Sequence, residues 1–235
     1  MKTISTLLTA AALSASLLIA TSNANATLID QGATVYDNDL AISWLKNGNL
    51  AASNTFGVSG INAGGFMTWN TAQSWIGAMN TASYLGYSDW RLPTMTDPSA
   101  TCNTVTYSGG PCGWNNPATS EMAHLFYNEL GNKGYFDTAG VGLQPGWGLA
   151  NTGPFSNVQS DGYWSGTSFA PGTNDAWNFN FHDGSQGNYG KNSIMYALAV
   201  RPGQAGATVP EPAGLALFGI GLLGLMAVRR RLALR

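Results

Sequence analysis

Charge is the scarcest commodity in this 235-residue chain: only 9% of its residues are Asp, Glu, Lys or Arg, where an ordinary globular protein carries about 25%. Basic residues are rarer still in its middle. Residues 27–206 hold five, Lys46, Arg91, Lys133, Lys191 and Arg201, against eleven acidic ones, a formal charge of −6. Phosphate neutralisation needs clustered Lys and Arg, so nucleic acid and anionic lipid are excluded as partners of this segment. Histidine and cysteine are equally sparse, two of each. The patterns G-x-S-x-G and H-E-x-x-H do not occur. A glycosidase needs two opposed carboxylates; eleven acids guarantee some pair, but no context singles one out. The expectation is a protein that is not an enzyme, with an extracytoplasmic hydrolase as the alternative, and no metal or cofactor is assigned.

Apolar length is confined to the two ends. The first 26 residues carry one charge at Lys2, run apolar from Leu7 to Ala20, and close on Ala24, Asn25 and Ala26. That is the pattern of a secretory signal peptide with an A-x-A cleavage site. Near the other end, Pro210, Glu211 and Pro212 precede sixteen uncharged residues from Ala213 to Val228, which are followed by Arg229, Arg230 and Arg231. As a helix this run is about 24 Å long, short of a hydrocarbon core of about 30 Å. Its arginines favour the cytoplasmic side. The Pro-Glu-Pro motif, short apolar helix and Arg cluster resemble the PEP-CTERM sorting signal of Gram-negative bacteria. That resemblance implies removal of the tail by an exosortase-type membrane protease, transient inner-membrane anchoring, and a final place at the cell surface or outside it. It also implies an association with exopolysaccharide and biofilm. Gly219, Gly221 and Gly224 spell G-x-G-x-x-G within the tail, but no strand precedes them, so a dinucleotide-binding turn is rejected.

Three segments follow: a signal peptide (1–26), one domain (27–206) and a sorting tail (207–235). In an oxidising compartment Cys102 and Cys112, ten positions apart, are expected to pair; neither has the His or Cys neighbours of a metal site. Short strands are predicted over 28–36 and 41–45. Thr68 is placed to cap a helix with apolar positions Trp69, Ala72, Trp75, Ile76 and Met79. A second helix is predicted from about Ser120 to Leu130, with Met122, Leu125, Phe126 and Leu130 on one face and His124 off it, solvated or locally hydrogen-bonded. Residues 131–162 show no periodicity and read as a functional loop or a missed element. Strand-like runs cover 163–168, 176–182 and 194–201. The second alternates strictly, with Trp177, Phe179 and Phe181 on one side and Asn178, Asn180 and His182 on the other. The third is apolar on both faces, as a central strand would be. Residues 183–193 read as a hairpin loop.

The order of these segments resembles the DUF1566 family, also called the Lcl C-terminal domain. The matching stretches are Asp37 through Lys46, Thr68-Trp69 with Ala72, Gly86-Tyr87-Ser88-Asp89-Trp90-Arg91-Leu92-Pro93-Thr94, Tyr163 through Ser168, and Ala199-Val200-Arg201-Pro202-Gly203. The chain departs from the family at Leu40-Ala41-Ile42, where T-G-L is usual, and in the insertion from Cys102 to Cys112. The resemblance implies an α+β, C-type-lectin-like single domain of two helices, small antiparallel sheets and long loops. It implies no single activity.

The function expected is a binding or adhesion protein of the surface or matrix, with surface polysaccharide as the partner. The alternative is a structural matrix protein with no specific ligand. Aromatic faces stack on sugar C–H groups while amides and carboxylates take the hydroxyls. Trp147, Trp164 and Trp177 supply rings, and Asn178, Asn180, His182 and Asp183 a polar edge. Of these, Trp164, Trp177, Asn178, Asn180, His182 and Asp183 are the candidate ligand residues. Oxygen ligands for calcium occur in the pairs Asp37/Asp39 and Asp175/Asp183, with no EF-hand pattern or Glu-Pro-Asn triplet behind them.

Overall fold

The computed structural model describes residues 28–203. The signal-peptide residues Ala24 and Ala26 and the sorting-tail residues Pro210, Glu211, Pro212, Arg229, Arg230 and Arg231 lie outside them. Among the described residues, seven strands form two antiparallel sheets. Leu28–Asp30 (β1), Thr34–Asp37 (β2), Ile42–Leu45 (β3) and Val200–Pro202 (β7) lie in the order β1-β2-β3-β7. Gly162–Ser168 (β4), Asp175–Asn180 (β5) and Gln186–Gly190 (β6) form a meander. The first predicted strand divides in two because Gly32, at φ 87°, turns the chain between β1 and β2.

Two other strand expectations are corrected. The supposed loop at 183–193 contains β6, whose Gly187, Asn188 and Gly190 give it little intrinsic strand propensity; its pairing with β5 supplies the order. The run 194–201 forms a ladder only at β7. Before that it threads between the sheets, with Met195 exchanging backbone hydrogen bonds with Met67, and Tyr196 bonding Gly162 and Trp164. This threading explains its apolar faces: Ala197, Leu198, Ala199 and Val200 are 2%, 1%, 0% and 0% exposed.

The predicted first helix is Trp69–Thr81 (α1). Thr68 Oγ1 accepts from Thr71 N, and Ala72, Trp75, Ile76 and Met79 are buried. It is tied to β4 by Trp69 Nε1 donating to Ser165 O and Gln73 Nε2 donating to Gly166 O. The second helix, Glu121–His124 (α2), starts at the Ser120 cap as expected but passes directly into a π-helical turn at Leu125–Glu129. Leu130 N closes that turn on Leu125 O at 3.0 Å. His124 does find local partners, with Glu129 Oε1 3.2 Å from Nε2 and Asn128 Nδ2 3.1 Å from Nδ1. Burial, then the neighbouring Asp37 charge, raise Glu129 above the usual carboxylate range.

The G-Y-S-D-W-R-L-P segment ties β7 to the start of α2. Asp89 receives a bidentate pair of hydrogen bonds from Arg201 of β7, whose guanidinium also lies 3.8 Å from the Tyr87 ring centre. Arg91 grips Glu121 through both terminal nitrogens, and Glu121 also accepts from Thr94 N. Trp90 and Leu92 point the other way into the core, each 2% exposed. Hydrogen bonds from Arg201 hold the Asp89 carboxyl below its ordinary range. A depressed carboxylate contributes stability that is present above its unfolded value of about 3.9 and is lost as pH falls through the folded value. Asp89→Asn is therefore expected to lower the unfolding midpoint at neutral pH and to flatten its decline below about pH 4. Parallel pH profiles for the two proteins, measured by urea titration, would contradict the Asp89–Arg201 pairing.

Cys102 and Cys112 are joined, as expected. Their loop is docked on β6: Gly113 and Gln186 exchange backbone hydrogen bonds of 2.9 and 2.8 Å, and Gln186 Nε2 donates to Pro111 O and Thr119 Oγ1. Only glycine fits at position 113, where φ is 110° and an added Cβ would sit 2.0 Å from Thr106 O. Closing a loop this short contributes about 2.5–3 kcal/mol on the chain-entropy estimate. The Cys102→Ser, Cys112→Ser pair of changes is expected to lower stability by that amount, measured as a denaturation midpoint beside the oxidised parent.

Candidate functional site

Four half-buried aromatic residues from loops gather beside the end of β5. Trp114 follows Gly113 off the docked disulfide loop, so the β6 contact sets its position. Tyr135 and Phe136 come from the long 131–162 segment, and Tyr135 N is anchored to Asp183 O at 2.8 Å. Trp147 is brought back against the same stretch because Gly148 N donates to Lys133 O at 2.9 Å. Gly148 has φ 92°, and a Cβ there would lie 3.0 Å from His182 O, so glycine permits the close approach of this loop to the segment just after β5.

Amide side chains substitute for regular structure in holding these loops. Asn115 Nδ2 donates to the carbonyls of Tyr107 and Phe136, and Gln144 Nε2 to those of Gly134 and Phe136. Asn132 Oδ1 accepts from the backbone N–H groups of Ala150 and Asn151. Behind the cleft, the Tyr127 hydroxyl accepts from Asn115 N and donates to Gly184 O. Burial pushes its pKa up to about 12, so it remains a neutral donor across the physiological range.

The rings form an unbroken ladder. Tyr107 stacks on Trp114 at 5.8 Å and 14°, and Trp114 meets Phe136 edge-on at 4.6 Å. Phe136 touches Tyr135 at 4.8 Å, Tyr135 touches Trp147 at 4.9 Å, and Trp147 touches the His182 ring at 5.2 Å. Trp114, Tyr135, Phe136, Trp147, His182 and Asp183 enclose a cleft of about 290 Å³. That volume is at the lower end for small-ligand sites. His182 is held by Ser160 Oγ at Nδ1, and Asp183 Oδ1 accepts from the backbone and hydroxyl of Ser185.

Of the residues singled out in the sequence, the structure brings His182, Asp183 and Trp147 to this cleft and leaves the others out. Trp164 is 0% exposed and its indole donates to Met67 O. Trp177, 1% exposed, is packed with Met95, Cys112 and Phe169 beneath the disulfide. Neither ring presents a face to a ligand. Asn178 is buried with its amide on Gly187 O, and Asn180 Oδ1 accepts from His182 N. The alternation in β5 suggested one solvated face, but β5 is the middle strand of its sheet and is covered on both sides. Trp114, Tyr135 and Phe136 lie in aperiodic loops, where the sequence signal for the cleft is aromatic residues beside glycine, at 113–114, 134–136 and 146–148. Of the calcium pairs, Asp175 opens β5 and Asp183 lies three residues beyond its end, at a different cleft, while Asp37 ends β2 and Asp39 follows in the turn, its N–H donating to Asp37 Oδ1.

A larger groove of about 750 Å³ lies elsewhere, between the start of α1 and the β4–β5 turn, lined by Thr68, Asn70, Thr173, Asn174, Asp175 and Lys191 among others. Its two charged groups, Lys191 and Asp175, are both engaged by neighbours. Lys191 Nζ donates to Ser168 Oγ and Thr173 O and lies 4.6 Å from the centre of the Trp69 ring, and Asn188 donates to Asp175. The groove offers no open ring face, so the aromatic cleft is the better candidate.

Among the described residues no helix is long and apolar enough to cross a membrane. The family description of the Lcl C-terminal domain matches residues 33–201, and that of the PEP-CTERM protein-sorting motif matches residues 208–231. No curated protein and no solved structure matches the chain.

Proposed function

The chain belongs to the Lcl C-terminal domain family and carries a PEP-CTERM protein-sorting motif after it, and from that premise we propose a lectin-like saccharide-binding module of the cell surface or matrix. The sorting motif implies export, membrane-associated sorting and processing by exosortase. The ligand is the part that rests on chemistry. The aromatic ladder from Tyr107 to His182 carries the reading, because ring faces at a surface cleft suit the C–H faces of sugars. His182 and Asp183 at the same cleft supply a donor or acceptor and a carboxylate for hydroxyl groups. A cleft this small takes one residue of a polymer and leaves the rest of the chain in solvent. The net negative charge of the domain favours a neutral or amino sugar over a sulfated or uronic one. Val141 and Leu143, 63% and 64% exposed just after Phe136, extend the apolar surface along which such a polymer would lie.

The test is affinity electrophoresis of the exported protein through gels containing neutral, amino and acidic polysaccharides. Retardation in neutral or amino polysaccharide, relieved by free oligosaccharide, is the expected result. Equal mobility in every gel would support a matrix protein with no saccharide ligand.

A further inference from the structure

A second constellation lies away from the cleft, where the β2–β3 turn meets α2. We infer that Asp37, His124 and Glu129 form a binding site for one divalent transition-metal ion of the zinc class. One ligand atom from each of the three lies within 4.8 Å of the others. Asp37 is 0% exposed, and its carboxylate is fixed by the backbone N–H groups of Asp39 and Leu40 and by Trp44 Nε1. The Glu129 side chain is fully covered, with Oε1 3.2 Å from His124 Nε2. Its other oxygen, Oε2, is buried with no hydrogen-bond partner. A buried carboxylate oxygen without a donor is costly, and a cation satisfies it. Asp39, exposed at the rim with Oδ2 3.9 Å from His124 Nε2, offers a fourth ligand.

The π-helical turn makes the arrangement possible. Residues five apart on an α-helix point away from each other, since each step rotates the chain by about 100°. Winding Leu125–Glu129 as a π-turn brings positions 124 and 129 onto one face. Such turns recur at functional sites.

The donor set selects the metal. Ligands about 2.0–2.2 Å from a tetrahedral zinc stand roughly 3.3 Å apart, close to the His124–Glu129 separation of 3.2 Å. An imidazole among carboxylates suits zinc-class ions, whereas calcium takes oxygens only. For Nε2 to coordinate, Nδ1 must carry the proton. Turning the Asn128 amide by 180° presents its oxygen to Nδ1, 3.1 Å away, without changing its shape.

The test is calorimetric titration of the chelator-treated protein with zinc chloride and, separately, calcium chloride, beside Glu129→Gln and His124→Asn. Saturable binding of one zinc, weaker by roughly tenfold or more in both variants, is expected. Nitrogen-15 spectra of the two histidine rings in the unaltered protein give a readout independent of how the variants fold: the His124 ring should shift with zinc and the His182 ring should not. No saturation, equal affinity in the variants, tighter binding of calcium, or a shift at His182 instead would each overturn the assignment.

Discussion

Trp164→Ala is expected to lower stability by about 3–5 kcal/mol, the range for removing a fully buried large aromatic side chain. Trp164 is 0% exposed among Leu45, Met67, Trp75, Trp90 and Ala199, and its indole donates to Met67 O. Truncation opens a cavity where β4 meets α1 and the threaded 194–199 segment, and it removes one of the two hydrogen bonds accepted by the Met67 carbonyl, leaving that from Met195 N. Domains of this size have total stabilities of only about 5–15 kcal/mol, so the variant should approach the unfolding threshold. Chemical denaturation measures the loss directly. A loss under about 1 kcal/mol would mean the ring is not enclosed as described.

Trp147→Ala should behave in the opposite way. Trp147 is half-buried at the mouth of the cleft, touching Tyr135 and His182 through ring edges. Its removal should cost the fold about 1 kcal/mol, the worth of such ring contacts. Saccharide affinity should fall by about 10- to 100-fold, or roughly 1.4–2.8 kcal/mol, as for a central aromatic anchor. Trp147→Phe keeps a ring face and should recover most of the affinity. A retained affinity in Trp147→Ala would place the ligand elsewhere, with the polar groove beside Lys191 as the next candidate.

These opposite expectations for two tryptophans mark where the sequence was readable. Periodicity located α1, because Ala72, Trp75, Ile76 and Met79 repeat at helical spacing and Thr68 precedes them. It also found the buried stripe of the second helix. It did not reveal the π-turn there, because Met122, Leu125, Phe126 and Leu130 fit either winding. The distinction matters, since it is the winding that brings Glu129 to His124. Along β5 and just past it, alternation places Trp177, Phe179 and Phe181 on one side, and all three are buried, but it does not reveal that Trp177 and Asn178 are closed to a ligand, because their cover from the disulfide loop and β6 is non-local. The cleft was the least legible part. Its rings come from loops without periodicity, positioned by Asn115, Asn132 and Gln144 side chains reaching backbone groups many residues away. The insertion from Cys102 to Cys112 read as a departure from the family pattern, yet docking it on β6 places Trp114 in the cleft wall.

The eight tryptophans also provide the most direct test of the saccharide proposal. Five indole N–H groups, those of Trp44, Trp69, Trp75, Trp90 and Trp164, donate to acceptors within the protein. Titrating the protein with neutral oligosaccharide while recording the indole N–H resonances therefore reads the cleft and the core at once. Saturable shifts at Trp147 and Trp114, with those five unmoved, are expected. Shifts confined to Trp69, or no saturable shift at any indole, would contradict saccharide binding at the aromatic cleft.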